Sequence, residues 1–145
     1  MVEMPKRDGN AVWNGGLKDG NGTIKVGDGL FEGQYSFSSR FEEGEGTNPE
    51  ELIAAAHAGC YSMAFSAELE AAGFTPNSVN TKASVWLEKG DDGFSITRIL
   101  LSTEGDVPGI EEEKFQEVAN AAKEGCPVSR ALSAVDISLE ATLSS

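Results

Sequence analysis

Thr47 to Phe74, TNPEELIAAAHAGCYSMAFSAELEAAGF, is the stretch whose reading decides the fold. It opens with helix start signals, Asn48 as N-cap and Pro49 at the first helical position. Glu51 follows Asn48 at the capping-box spacing, where its carboxylate can reach back to the orphan amides. Gly73 is a left-handed cap at the other end, with Pro76 shortly after. Between them lie Leu52, Ile53, Met63, Phe65 and the alanines at 54, 55, 56, 58, 64 and 67. A helix with so little polar face is a buried one, in a core or against a partner. Cys60, one of two cysteines in the chain, sits in its middle.

On the N-terminal side of this helix, Asn10 to Ser39 reads as strands. Ala11 to Trp13 is short, Asp19-Gly20-Asn21-Gly22 is a hairpin signal, and Thr23 to Val26 alternates as a half-buried strand does. Gly27-Asp28-Gly29 turns the chain again. Tyr35 and Phe37 alternate with Ser36 and Ser38, and Arg40 stands at the end of that strand. Glu42 to Gly46 is a polar loop. On the C-terminal side, Ala83 to Glu88 alternates, Gly90-Asp91-Asp92-Gly93 turns, and Phe94 to Thr103 returns. That return strand is apolar enough on both faces to be central in a sheet. Glu111 to Glu124 reads as a second helix with its acidic residues in the first turn. Gly125 ends it, Cys126-Pro127 opens a short helix to about Leu132, and Val135 to Ala141 alternates as a last strand. The expected fold class is α+β, with mostly antiparallel sheets packed around the cysteine-bearing helix in a single domain over residues 1–145. No glycine-rich phosphate loop stands between a strand and a helix. Trp13 and Trp86 carry no functional argument and are expected in the core.

The chain has 145 residues, enough for one domain with a real core. Its 24 acidic against 11 basic residues give a net charge of −13. Such a surface repels phosphate backbones and anionic membranes, which argues against nucleic-acid and membrane partners. No signal-peptide core or membrane-spanning run is present in the sequence, so the expected location is cytoplasmic. There, a two-cysteine protein is more often redox-active than disulfide-stapled.

Both cysteines are flanked by glycine, in Ala58-Gly59-Cys60 and Gly125-Cys126-Pro127, which lets another group approach closely. Cys126 precedes a helix start, where backbone amides lower a thiol pKa. Cys60 lies beyond the reach of its own helix dipole, so a reactive thiolate there needs a cation nearby. Arg40 is the best supplier because its guanidinium is charged at every relevant pH. His57 precedes Cys60 by three residues on the same helix face and is either its partner or a packing histidine. Two cysteines and one histidine fall short of a four-ligand zinc site, and no metal or cofactor is expected.

TNPEELIAAAHAGCYSMA resembles the cysteine-helix signature of the osmotically inducible protein C and organic hydroperoxide resistance family. GCPVSRAL is similar to that family's second-cysteine motif, and FSSRF resembles its osmotically inducible branch. The likeness extends along nearly the whole chain, including the AVWNGGLKDGNGT opening. The resemblance implies a thiol peroxidase that reduces organic hydroperoxides, and hydrogen peroxide less well. It implies that Cys60 is the peroxidatic cysteine, Cys126 the resolving one, and that Arg40 and Glu50 complete the site. A dithiol of the lipoyl type is the reductant it suggests.

Glu50 and Cys60 share a helix, roughly 15 Å apart along its axis and about 80° apart around it. If both serve one site, Glu50 comes from a second copy of the chain. The expectation is therefore an intertwined two-fold homodimer with shared active sites, its helices crossing near Ala54-Ala55-Ala56. Two other readings compete. Cys126-Pro127-Val128-Ser129 could be a one-cysteine version of a thiol-disulfide oxidoreductase motif, or both cysteines could be structural in a non-enzymatic stress or binding protein.

Overall fold

The computed structural model describes residues 4–144, and the chain divides into two compact units, Met1–Leu52 and Ile53–Ser145. The first unit holds a three-stranded antiparallel sheet of β1 (Gly9–Asn14), β2 (Asn21–Val26) and β3 (Phe31–Tyr35). The hairpin at Asp19 to Gly22 forms where its glycines place it, pairing Trp13 with Gly22 and Asn14 with Asn21. Trp13 meets Tyr35 edge to face at 5.2 Å. It is half-buried on this small sheet rather than set in a core.

The segment read as the continuation of β3 is a helix, α1 (Phe37–Phe41). Ser36 and Ser39 form a reciprocal capping box, each side chain accepting from the other's backbone N–H, at 3.1 and 2.8 Å. Phe37 and Phe41, four residues apart, then stack with centroids at 4.9 Å. The period-2 alternation of aromatics loses to a period-4 pair with a cap in front of it. Arg40 therefore stands on a helix, not at a strand end.

The loop after α1 is held shut by two polar side chains. Ser39 Oγ donates to the Thr47 carbonyl at 2.7 Å, and Asn48 Nδ2 donates to the Ser39 carbonyl at 2.9 Å. Gly46 makes the closure possible with φ +117, where an added Cβ would stand 2.5 Å from the Gln34 carbonyl oxygen.

α2 (Pro49–Ala71) is the helix expected between Asn48 and Gly73. Asn48 Oδ1 accepts the Glu51 N–H at 2.8 Å, completing the first half of the capping box. The second half is absent because the Glu51 carboxylate accepts the Thr47 hydroxyl instead, at 3.1 Å. Gly73, with φ +95, closes the far end: its N–H reaches the Glu70 carbonyl and that of Phe74 the Leu69 carbonyl. That is the paired bonding of a Schellman cap.

The second unit is built on a sheet of β4 (Ser78–Gly90), β5 (Gly93–Asp106) and β6 (Asp136–Leu143), in the order β4-β5-β6. β5 is central, as its two apolar faces predict. β4 and β5 are antiparallel, but β5 and β6 are parallel, so among the described residues three of the four strand pairings are antiparallel. The chain between β5 and β6 passes through α3 (Glu112–Gly125) and α4 (Pro127–Ala131), long enough for the crossover that a parallel pair requires.

The core of this unit is one cluster. Tyr61, Phe65 and Leu69, one α2 turn apart, pack with Leu101 of β5 and with Phe115, Val118, Ala119 and Ala122 of α3. Trp86 is not part of it. It is half-buried on β4 and carries the Arg98 guanidinium 3.8 Å from its ring centroid. On the other side of α2, Ala55, Gly59, Met63 and Ala67 are exposed in the single chain. Among the described residues no helix is long and apolar enough to cross a membrane.

Candidate active site

Each unit brings together one of the two expected pairs. In the first, Arg40 and Glu50 form a bidentate ion pair: Nε donates to Oε1 at 3.1 Å and Nη2 to Oε2 at 2.9 Å. Its register is set by the capping side chains, since Ser39 and Asn48 clamp the chain next to each partner. The Glu50 side chain is 11% exposed and that of Arg40 36%. The carboxylate is thus largely sequestered while the guanidinium keeps a face open, the arrangement in which a buried acid orients a base. Trp13, Leu17, Tyr35, Phe37 and Phe41 surround Arg40 in a mostly apolar cavity of about 190 Å³.

In the second unit, the Cys60 and Cys126 sulphur atoms are 3.2 Å apart. Cys60 reaches this point from the middle of α2. Cys126 reaches it as the residue that ends α3 and caps α4. Pro127, at the first position of α4, forces the turn between the two helices. Cys126 is fully buried, whereas Cys60 is partly exposed.

The surroundings push the two thiols apart in acidity. Burial raises the Cys60 pKa above its ordinary value; a hydrogen bond from the Val128 amide opposes this, and the neighbouring Cys126 adds to it. Burial also acts upward on Cys126. There it is outweighed by hydrogen bonds from the Ser129 amide, the Cys60 thiol, the Ser129 hydroxyl and the Val128 amide, and the net direction is down. The amides face the sulphur without the geometry of an ordinary side-chain cap. The acidity order is the one that the position of Cys126 at a helix start predicts. Tyr61 lies beneath the pair, donating to the Ala119 carbonyl at 2.8 Å. Burial, then the nearby Cys126 charge, pushes its phenol well up, so it stays protonated.

His57 is not paired with Cys60. Its ring is fully buried and its Nε2 lies 2.7 Å from Ser129 Oγ. Ser129 is a residue that the sequence reading uses only as the end of a redox-motif variant. A usable signal was present: Ser129 follows Cys126 by three residues across a helix start, the spacing at which a cap and its N3 side chain meet. No group of three or more potential metal-ligating side chains is found among the described residues.

Residues 42–140 match the family described as OsmC-like protein. The chain is 50% identical over 140 residues to Peroxiredoxin OsmC of Escherichia coli, which covers 96% of this chain and 97% of that one. The chain belongs to the OsmC-like family. It is also 34% identical over 122 residues to the organic hydroperoxide resistance protein OhrB of Bacillus subtilis, covering 82% of this chain and 88% of the relative. The crystal structure of OhrB of Bacillus subtilis superimposes with a TM-score of 0.74 at 29% identity, over 93% of this chain and 98% of that one. The mixed α+β fold is therefore that of the family.

Proposed function

We propose that this protein reduces organic hydroperoxides to alcohols through a Cys60 sulfenic acid that Cys126 resolves as a disulfide. The enzyme class, a cysteine-based peroxidase, comes with the family. The observation that carries the mechanism is the pair of sulphurs 3.2 Å apart, one partly exposed and one buried. A substrate meets Cys60 first, whatever the acidity order, because a buried sulphur cannot attack what does not reach it. The Cys60 thiolate attacks the terminal peroxide oxygen, the O–O bond breaks, and the alkoxide leaves as alcohol after taking a proton. Cys126 then attacks the sulfenic sulphur, water departs, and a disulfide remains. A dithiol of the lipoyl class returns both cysteines to thiols by exchange.

In this reading Arg40 stabilises the Cys60 thiolate and the departing oxygen, and Glu50 fixes the direction of the guanidinium. Cys60 needs such a cation, because burial in the single chain raises its pKa. The aromatic cavity around Arg40 favours apolar hydroperoxides over hydrogen peroxide. Since Glu50 and Cys60 are roughly 15 Å apart along α2, the ion pair serving each thiol comes from a second copy in a two-fold homodimer. The exposed row Ala55, Gly59, Met63 and Ala67 supports a close helix crossing there.

The test is turnover of tert-butyl hydroperoxide with a dihydrolipoyl dithiol, comparing wild type, Cys60→Ser and Cys126→Ser. Cys60→Ser should be inactive, while Cys126→Ser should react once and stall. The reverse pattern would make Cys126 the nucleophile and favour the oxidoreductase reading.

A further inference from the structure

His57, Ser129 and Cys126 are buried in the second unit and lead to the partly exposed Cys60. His57 Nε2 stands 2.7 Å from Ser129 Oγ, and Cys126 Sγ 3.2 Å from Cys60 Sγ. Between these two contacts stands Ser129, three residues after Cys126 across the start of α4, close enough for its hydroxyl to lower the Cys126 pKa. Ser129 is 6% exposed, and His57 is fully buried. Its Nδ1 is buried with no hydrogen-bond partner among the described residues. A buried polar atom without a partner costs about 1–3 kcal/mol, so a histidine placed only to pack helices would be a poor choice here. A ring that must gain and lose a proton at Nε2 gives that position a use.

We propose that His57, acting through Ser129, is the proton acceptor for Cys126 when the disulfide forms. This rests on the peroxidase reading and concerns its second half-reaction. The Ser129 hydroxyl turns its proton from the Cys126 sulphur to His57 Nε2, and as that proton passes to Nε2 the Cys126 S–H proton passes to Ser129 Oγ. The Cys126 sulphur then forms its bond to the Cys60 sulphur while the Cys60 S–O bond breaks. Hydroxide leaves and is protonated to water, and the imidazolium gives up its proton to return to the neutral ring. The sum is one thiol and one sulfenic acid giving one disulfide and one water, with no other reactant. Ser129 also lines a polar cleft of about 220 Å³ with Lys123, Glu124 and Arg130, through which the proton can exchange with solvent.

The relay has a consequence for enzyme lifetime. A sulfenic acid that waits for a slow resolving thiol is exposed to a second hydroperoxide and advances to sulfinic acid. His57 and Ser129, neither of which need touch the substrate, would thus decide how much hydroperoxide the enzyme survives.

The test separates the half-reactions on the full chain, by rapid mixing of reduced protein with one equivalent of tert-butyl hydroperoxide. Sulfenic acid is trapped at Cys60 with a cyclic diketone, and disulfide is followed by mass spectrometry. Ser129→Ala should slow disulfide formation by about 10²-fold, the usual weight of a positioned acid–base group, with the loss confined to that step. Ser129→Thr, which keeps the hydroxyl, should restore most of the rate. His57→Gln keeps a hydrogen-bonding group near the Nε2 position but accepts no proton, and should behave like Ser129→Ala. Both slow variants should accumulate Cys60 sulfinic acid at excess hydroperoxide. A wild-type rate of disulfide formation in His57→Gln, or failure of Ser129→Thr to rescue, would reduce the pair to packing and overturn the relay. Absence of trapped Cys60 sulfenic acid in Cys126→Ser, where no resolving thiol competes with the trap, would overturn the peroxidase reading itself, and the relay with it.

Discussion

Cys60 and Cys126, 66 residues apart in the chain, hold their sulphur atoms 3.2 Å apart without a bond between them. A disulfide needs about 2.05 Å, so oxidation requires a movement of little more than 1 Å. The two sulphurs differ in access as much as in acidity: the buried one is the more acidic and the reachable one the less. A pair of that kind is arranged for a sequence of two reactions rather than for a permanent cross-link.

Oxidation should therefore consume both thiols together. One equivalent of tert-butyl hydroperoxide added to reduced protein should remove two titratable thiols per chain, and dithiol should restore both. In Cys126→Ser the same addition should remove one and leave a sulfenic acid that over-oxidises with excess reagent. Retention of both thiols in wild type would favour the structural reading of the cysteines.

The Arg40–Glu50 pair predicts a difference between charge and shape. Arg40→Lys keeps the cation but loses the fork that engages both Glu50 oxygens. We expect kcat/KM for an organic hydroperoxide to fall about 10²-fold, the scale on which loss of one preorganised donor is felt. Stability should fall by only about 1 kcal/mol, because a guanidinium 36% exposed is screened by water. Steady-state kinetics beside denaturant unfolding separates the two effects. Wild-type kinetics in Arg40→Lys would show that the thiolate is stabilised by something else.

Much of this was legible in the sequence, and the exceptions share a cause. α2 announces itself by local chemistry: Asn48, Pro49 and Gly73 each do at the chain ends what their side chains or backbone freedom dictate. The Asp19 to Gly22 hairpin is equally local. α1 was concealed because Tyr35 and Phe37 alternate like a strand, although the Ser36–Ser39 spacing held the opposing signal. The parallel pairing of β6 with β5 has no local signal, since antiparallel and parallel strands alternate alike. The Arg40–Glu50 pair was implied only by the family resemblance, since nothing local in the sequence joins the two side chains. The partner of His57 lies 72 residues away and is set by how α4 packs against α2, which periodicity does not report.

His57 is the sole histidine, so its titration can be followed by a single imidazole resonance. Burial lowers its pKa from the ordinary 6.5, and the midpoint should lie below that value. The sign of the stability effect follows. Above pH 6.5 the ring is neutral whether the chain is folded or not, and contributes nothing. As pH falls below 6.5 the unfolded chain binds a proton that the folded chain still refuses, so stability declines until the folded midpoint is passed. That component should be missing from His57→Gln. A midpoint at or above 6.5 would mean that the ring is hydrated in solution.

Gly59 gives the sharpest test of the proposed dimer, because its expected effect changes sign with assembly. In the single chain an added Cβ at Gly59 meets nothing within 4 Å. Gly59→Ala in a free helix should therefore stabilise the protein by about 1 kcal/mol through helix propensity alone. If α2 crosses its twin along Ala55, Gly59, Met63 and Ala67, the same methyl intrudes where backbones approach closely, and the gain becomes a loss. Gly59→Leu should then yield a monomer by sedimentation with little remaining peroxidase activity, since each Cys60 would lose the Arg40–Glu50 pair of the other chain. A stabilised, fully active monomer would overturn the shared site and separate the Arg40–Glu50 pair from the thiol chemistry.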